Sequence, residues 1–281
     1  MRGWGDPKLW PVASQRRLAE WRKLTTKKGR GQTGMLLIEG VRLVGDALQS
    51  GQSVTALLVA DDEQGVTAID HLTAVISRPS LELLRLPRRE FDRLANTVHA
   101  AGIAALLHWQ PSVLITGQGP SVADRRVLIC DHLADPGNLG TLIRTAAGLG
   151  IDRVIITSGS VELTNPKTVR AAAGALFRIP IHGDIPAAQA AAWCEEHRLS
   201  ILVADAHRGS TLGAEHSWPR WALVVGGETI PHDPIWNSVA ADRVHIPLRH
   251  GVESLNAALA GAILVDRLCR TDPSPRSRQR R

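Results

Sequence analysis

The segment Asp135-Pro136-Gly137-Asn138-Leu139-Gly140-Thr141-Leu142-Ile143-Arg144-Thr145-Ala146-Ala147 comes just after the apolar run Val127-Leu128-Ile129-Cys130. The run reads as a buried strand, and Pro136 and Gly137 end it. Asn138 then reads as a helix cap, because its side-chain oxygen can accept from unpaired N–H groups one turn on. Leu139, Leu142, Ile143, Ala146 and Ala147 follow at helical spacing. A strand that feeds a helix in this way builds a parallel sheet covered by helices. Asn138 and Arg144 are the polar residues of this apolar segment and read as lying near one side of the helix. An arginine on a strand–loop–helix unit invites an anionic ligand.

The same alternation recurs along the chain. Residues 14–29 read as a basic amphipathic helix. Strands are expected at Met35–Ile38, Val54–Ala60, Ala74–Ile76 and Gly102–Leu107, with helices at Val41–Leu48 and Pro87–Ala95. Pro111, Gly117, Gly119 and Pro120 mark a linker. Beyond it, strands are expected at Val127–Cys130, Val154–Thr157, Ile201–Ala204, Ala222–Val225 and Val244–Pro247. Helices at 139–149, 166–175, 186–197 and 254–270 separate most of them. The division is a basic N-terminal extension (1–32), a small α/β domain (33–110), a linker (111–125), a larger parallel α/β domain (126–270) and a basic, disordered tail (271–281).

Charge is concentrated at the two ends. The net charge is +6, and Arg16, Arg17, Arg22, Lys23, Lys27, Lys28 and Arg30 crowd the first of them, interleaved with Trp4, Trp10 and Trp21. Such an excess suits a polyanion such as nucleic acid, held by salt-sensitive phosphate contacts; by itself it is equally the mark of a soluble basic protein. No apolar run spans a bilayer, and no apolar leader segment opens the chain. The 3 cysteines, an odd and scattered set, make no disulfide framework, so the cytoplasm is the expected compartment. His207, His216, His232, His245 and His250 lack ligand spacing, and no metal is expected. No Gly-x-Gly-x-x-Gly follows the first strand, which argues against a dinucleotide dehydrogenase, and no Gly-Lys-Ser/Thr phosphate loop occurs.

Two further stretches carry chemistry. In Leu223-Val224-Val225-Gly226-Gly227-Glu228 a strand ends at two glycines, which lets backbone approach a ligand. In Ile246-Pro247-Leu248 and Glu253-Ser254-Leu255-Asn256-Ala257, Ser254 reads as the cap of an Ala-rich helix with Asn256 in its first turn. Each of these features also has a purely structural reading: Asn138 and Ser254 as caps, Glu228 as an ion-pair partner.

Together the three stretches resemble the motifs of the SpoU/TrmH branch of the SPOUT RNA methyltransferases. Asn138 to Ala146 is similar to the first motif and Val225-Gly226-Gly227-Glu228 to the second. Ile246-Pro247 with Ser254-Leu255-Asn256 is similar to the third. Val169 to Pro180 also resembles a family segment. Residues 33–107, with Glu39-Gly40-Val41-Arg42, resemble the ribosomal-protein-like RNA-binding domain often found before it. Two departures stand out: Glu228 is followed by Thr229-Ile230-Pro231-His232 where the family has glycine, and Ala100-Ala101-Gly102 lacks a polar residue before its glycine.

The resemblance implies an α/β fold whose C-terminal part threads a loop to make a trefoil knot. It implies a methyl donor, S-adenosylmethionine, held by backbone at Gly226, Ile246 and Leu255, with no metal. The reaction implied is methyl transfer to a ribose 2′-hydroxyl of RNA, with large-subunit ribosomal RNA first and transfer RNA second. Arg144 would hold a phosphate and favour alkoxide character; its guanidinium is normally protonated, which leaves the base open. Asn138 would orient Arg144 or the hydroxyl, Glu228 would anchor Arg144 or a loop, and Ser254 and Asn256 would shape the site. A homodimer is implied as well. A catalytically inactive RNA-binding ribosome-assembly factor and an antibiotic-resistance methyltransferase are the competing readings.

Overall fold

The computed structural model describes residues 9–72, 81–95, 101–117, 119, 124–213, 217–227 and 230–271. The expected strand at 74–76, Glu228 and the tail after 271 lie outside these residues. Among the described residues, no helix is long and apolar enough to cross a membrane. The chain forms two compact units, one of residues 1–110 with 164–178, the other of residues 111–163 with 179–281.

In the first unit the described elements are α1 (Gln15–Arg22), α2 (Lys27–Thr33), β1 (Met35–Glu39), α3 (Val41–Gln49), β2 (Ser53–Ala60), α4 (Glu63–Leu72), β3 (Glu82–Leu86), α5 (Arg88–Leu94) and β4 (Ile103–His108). The strands lie in the order β1-β4-β2-β3. β4 runs antiparallel to both β1 and β2, while β3 is parallel to β2. The expectation of one helix over residues 14–29 is corrected. A short 3-10 turn at Lys23–Thr25 splits it, and Thr26 caps α2 by accepting from the Gly29 N–H at 3.2 Å. The basic stretch is not a loose arm, since Leu18, Trp21 and Leu24 are buried with Leu58, Leu84, Phe91 and Leu106. Arg17 pairs with Glu82 and Arg22 with Glu90, while Arg30 is buried and donates to the Leu24 carbonyl at 2.9 Å.

In the second unit the described elements are β5 (Arg126–Asp131), α6 (Pro136–Leu149), β6 (Arg153–Thr157), β7 (Ile181–Ile185), α8 (Ala187–Glu196), β8 (Ser200–Ala204), β9 (Ser210–Thr211), β10 (Trp221–Gly226), α9 (Ile235–Val239), β11 (Asp242–His245) and α10 (Ala257–Thr271). Helix α7 (Pro166–Ala172) comes between β6 and β7 in the chain but belongs to the first unit. The seven strands order as β7-β6-β5-β10-β8-β11-β9, and every paired neighbour is parallel. Central strands in such a sheet are buried on both faces, which is why Val127–Cys130 and Ala222–Val224 are continuous apolar runs.

Element boundaries differ from expectation in several places. β11 ends at His245, because Pro247 has no N–H to give to a ladder. α7 stops at Ala172, where Ala173 (φ 47°) and Gly174 (φ 80°) turn left-handed. β3, β7, β9, α4 and α9 appear where no element was expected.

The segment 164–178 is held to the first unit by charge. Arg178 donates to Asp46 at 2.7 Å and Arg170 to Glu39 at 3.4 Å. A Cβ at Gly174 would lie 2.1 Å from the Asp46 carboxylate, so only glycine fits there.

At the opposite end of the sheet from its ligand edge, Arg153 makes a fork on Asp124 (2.9–3.1 Å) and donates to His182 Nε2. His182 Nδ1–H donates to the Ser112 carbonyl at 2.9 Å. The ring is therefore neutral, and burial together with the Arg153 charge pushes His182 down to about 4. The unfolded chain would protonate this histidine near 6.5. Its contribution to stability is thus complete above pH 6.5 and is lost as pH falls through 4. We expect about 3 kcal/mol to disappear across that window. A His182→Gln variant should show a flatter melting temperature over the same range, as thermal unfolding at stepped pH would measure.

Candidate functional site

In a parallel α/β sheet, ligands sit beyond the carboxyl ends of the strands. Here a cavity of about 410 Å³ opens at that edge of β8, β10 and β11. Ala204 ends β8 and Asp205 to His207 follow it, Gly226 ends β10 with Gly227 just after it, and Ile246 and Leu248 follow β11. Glu253, Ser254, Leu255 and the first turns of α10 close the far wall. Gly226, Ile246, Leu255 and Ser254 of the expected site thus line one cavity.

The glycines are needed by their neighbours. A Cβ on Gly226 would lie 2.5 Å from His232 Cε1, and one on Gly227 would lie 2.8 Å from the His132 carbonyl oxygen. The backbone groups of Leu248 and Leu255 enter no turn, loop or cap hydrogen bond among the described residues. They are left to a ligand or to water.

Asn138 and Asn256 are also brought together, though Asn138 is not the helix cap expected from the sequence. The cap of α6 is Asp135, whose Oδ1 accepts from the Asn138 N–H at 2.7 Å. Pro136 then occupies the first helical position, where its missing N–H costs nothing and its φ is already helical. Asn138 therefore lies inside the first turn and is not the cap. α10 likewise begins at Ala257, so Ser254 caps nothing. Asn256 does this instead, its Oδ1 accepting from Ala258 N (3.1 Å) and Leu259 N (3.3 Å). With Oδ1 committed to the helix, Asn256 Nδ2 donates to Asn138 Oδ1 at 2.8 Å. That bond leaves the Asn138 amide group as an outward donor.

Arg144 is exposed, does not line the cavity, and makes no hydrogen bond to a described residue. Six residues along a helix correspond to about 9 Å of rise and about 120° of rotation. Arg144 and Asn138 therefore do not share one side of α6, contrary to the sequence reading.

Polar residues that sequence reasoning passed over stand at the same edge. Asp131 ends β5 fully buried and accepts from Thr157 Oγ1 (2.8 Å), Asp233 N (2.9 Å) and His232 Nδ1 (3.2 Å). Burial works to raise Asp131, but these bonds outweigh it and hold it at about 2. Asp205 lines the cavity, and it too is held below the usual carboxylate range. Burial opposes this, while the N–H groups of His207 (2.9 Å) and Arg208 (3.0 Å) and the guanidinium of Arg243 (2.9 Å) prevail. A carboxylate at the C-terminal end of a buried parallel strand was the available signal for Asp131. His232 carried none, because its partners lie on other strands. Among the described residues, no group of three or more His, Cys, Asp or Glu side chains could hold a metal.

The profile described as SpoU rRNA Methylase family matches residues 125–266, and that described as MRM3-like substrate binding domain matches residues 15–105. The chain belongs to the SpoU rRNA methylase family. Its similarity to a named member runs almost end to end. The 23S rRNA (guanosine(2553)-2'-O)-methyltransferase RlmP of Bacillus subtilis is 32% identical over 90% of this chain and 96% of its own. The mitochondrial rRNA methyltransferase 3 of Homo sapiens is 28% identical over 84% of this chain and 67% of its own. Among SpoU methylase structures, AviRb from Streptomyces viridochromogenes, solved in complex with the cofactor AdoMet, shares the fold. Its TM-score is 0.78 at 23% identity, over 92% of this chain and 98% of that one.

Proposed function

We propose that this protein transfers the methyl group of S-adenosylmethionine to a ribose 2′-hydroxyl of large-subunit ribosomal RNA. The observation that carries the reading is the cavity at the ends of β8, β10 and β11 in a chain of the SpoU rRNA methylase family. RlmP, whose name states 2′-O-methylation of 23S rRNA, supports it along nearly its full length. Transfer RNA is the second substrate class.

The cavity suits such a donor. Its volume falls in the range of small-molecule sites. Glycine at 226 and 227 and the uncommitted backbone of Leu248 and Leu255 suit the edge of an adenine. When bound, S-adenosylmethionine supplies an electrophilic methyl group on a positive sulfur.

The chain's own residues would then act as follows. Gly226, Ile246 and Leu255 hold the donor through backbone. Asn256 fixes Asn138 so that its amide N–H₂ is free to meet an oxygen of the ribose or phosphate. Arg144 holds the adjacent phosphate and stabilises negative charge on the attacking oxygen. A guanidinium keeps its proton near neutral pH, so its part is electrostatic. Ser254 shapes the mouth of the cavity, and Glu228 anchors the loop after β10.

The reading includes a homodimer, favoured by Leu259 and Ile263, which are exposed on one face of α10. It also includes the threaded C-terminal topology. α10 returns to pack on α6 and β10, with Gly261 against Leu142 and Val225, and this placement supports it.

The test is a map of ribose methylation across ribosomal and transfer RNA in cells with and without the gene. Loss of a single 2′-O-methyl mark in the large-subunit RNA is expected. A missing mark on a base alone would sink the assignment. Failure of the purified protein to bind S-adenosylmethionine at millimolar concentration would favour an RNA-binding assembly factor.

A further inference from the structure

The loop after β10 carries a histidine wedged into the cavity wall. His232 lines the cavity, and its ring packs against Gly226 so closely that a Cβ there would collide with it. Its Nδ1 lies 3.2 Å from the buried Asp131 carboxylate, which ends β5. Its Nε2 lies 3.1 Å from the carbonyl of Ala204, which ends β8. One ring thus ties together the ends of β5, β8 and β10. Two more bonds secure the same loop: Asp233 N–H donates to Asp131, and His132 Nδ1 meets the Pro231 carbonyl at 3.2 Å.

Both ring nitrogens of His232 face oxygen acceptors. We propose that His232 is a positioning residue that sets the Gly226–Gly227 turn for the methyl donor. The proposal rests on S-adenosylmethionine occupying this cavity. The buried Asp131 carboxylate faces one nitrogen of the ring and the Ala204 carbonyl faces the other.

Donor affinity should fall when the ring is removed and be kept when its hydrogen bonding is replaced. Glutamine is the informative replacement, because its amide offers two N–H donors.

Calorimetric titration of the full-length protein with S-adenosylmethionine tests this. His232→Ala should weaken the donor about tenfold, the size expected for losing a hydrogen bond to a charged group. His232→Gln should stay within about threefold of wild type. Wild-type protein that binds no donor would overturn the proposed function itself. Wild-type binding matched by equal binding in His232→Ala would overturn the role of His232 alone. If the Ala variant fails to fold, the Gln variant decides, and a folded Gln variant that binds the donor about tenfold more weakly than wild type overturns the proposal.

Discussion

Replacing Arg144 by Ala should cut methyl transfer by at least about 100-fold while S-adenosylmethionine binds within about twofold of wild type. The separation of the two effects follows from where the residue is. Arg144 is exposed on α6, away from the cavity lining, and holds no described neighbour in place. Removing it leaves no buried partner unpaired and no cavity behind, so neither the fold nor the donor site has reason to change. The cost falls on the step in which negative charge develops on a ribose oxygen. Arg144→Lys separates two parts of that cost. It keeps the charge but loses the fork that grips a phosphate through two oxygens, so intermediate activity is expected. Transfer of labelled methyl to ribosomal RNA from cells lacking the gene gives the rate, and calorimetry gives the donor affinity. Full activity in Arg144→Ala would remove this residue from the reaction.

Gly261→Leu should destabilise the protein by about 1–3 kcal/mol and weaken donor binding with it. Gly261 lies where α10 crosses α6 and β10. A Cβ there would come within 2.5 Å of Leu142 Cδ2 and 3.3 Å of Val225 Cγ2. The nearest atom is the tip of a flexible side chain, so one methyl group can be accommodated when Leu142 changes rotamer. Alanine also gains helix propensity over glycine, about 0.8–1.0 kcal/mol. Gly261→Ala should therefore be close to neutral. A leucine has no such escape, because its further atoms meet the fully buried Leu142 and nearly buried Val225 in a packed core. It must push α10 outward. Asn256 caps that helix and bonds Asn138, so the displacement opens the asparagine pair and the cavity wall at once. Thermal unfolding and calorimetry on the two variants measure this. Equal stability of the Leu and Ala variants would show that α10 does not pack as tightly as its spacing indicates.

The parallel sheet was legible because its strands are apolar without alternation, as at Val127–Cys130 and Ala222–Val225. β9, by contrast, is two polar residues, Ser210 and Thr211, held only by their pairing with β11. Nothing local announces it. Helix starts were misplaced for a related reason. Asp135 and Asn138 are both good caps, and so are Ser254 and Asn256. Only the acceptor geometry at the N–H groups decides between them. The glycines of the β10 turn stood out in the chain, and both line the cavity. The partners Asp131 and His232 are 101 positions apart, and no periodicity links a strand end to a loop at that distance. The site was thus readable where backbone freedom marks it, and hidden where side chains from separate strands complete it.

The 15 residues of segment 164–178 bear on how such proteins can change over generations. They fall within the span that matches the SpoU methylase family, yet they belong to the first unit through Arg170 and Arg178. Glu39 and Asp46, their partners, are nearly buried. A gene fusion that joined residues 111–281 to an unrelated RNA-binding module would strand both arginines and the glycine bend between them. The reverse exchange would take the arginine partners away from two largely buried carboxylates. The two modules are therefore not interchangeable parts, and their lineages should travel together, with changes at 39, 46, 170, 174 and 178 inherited as a set.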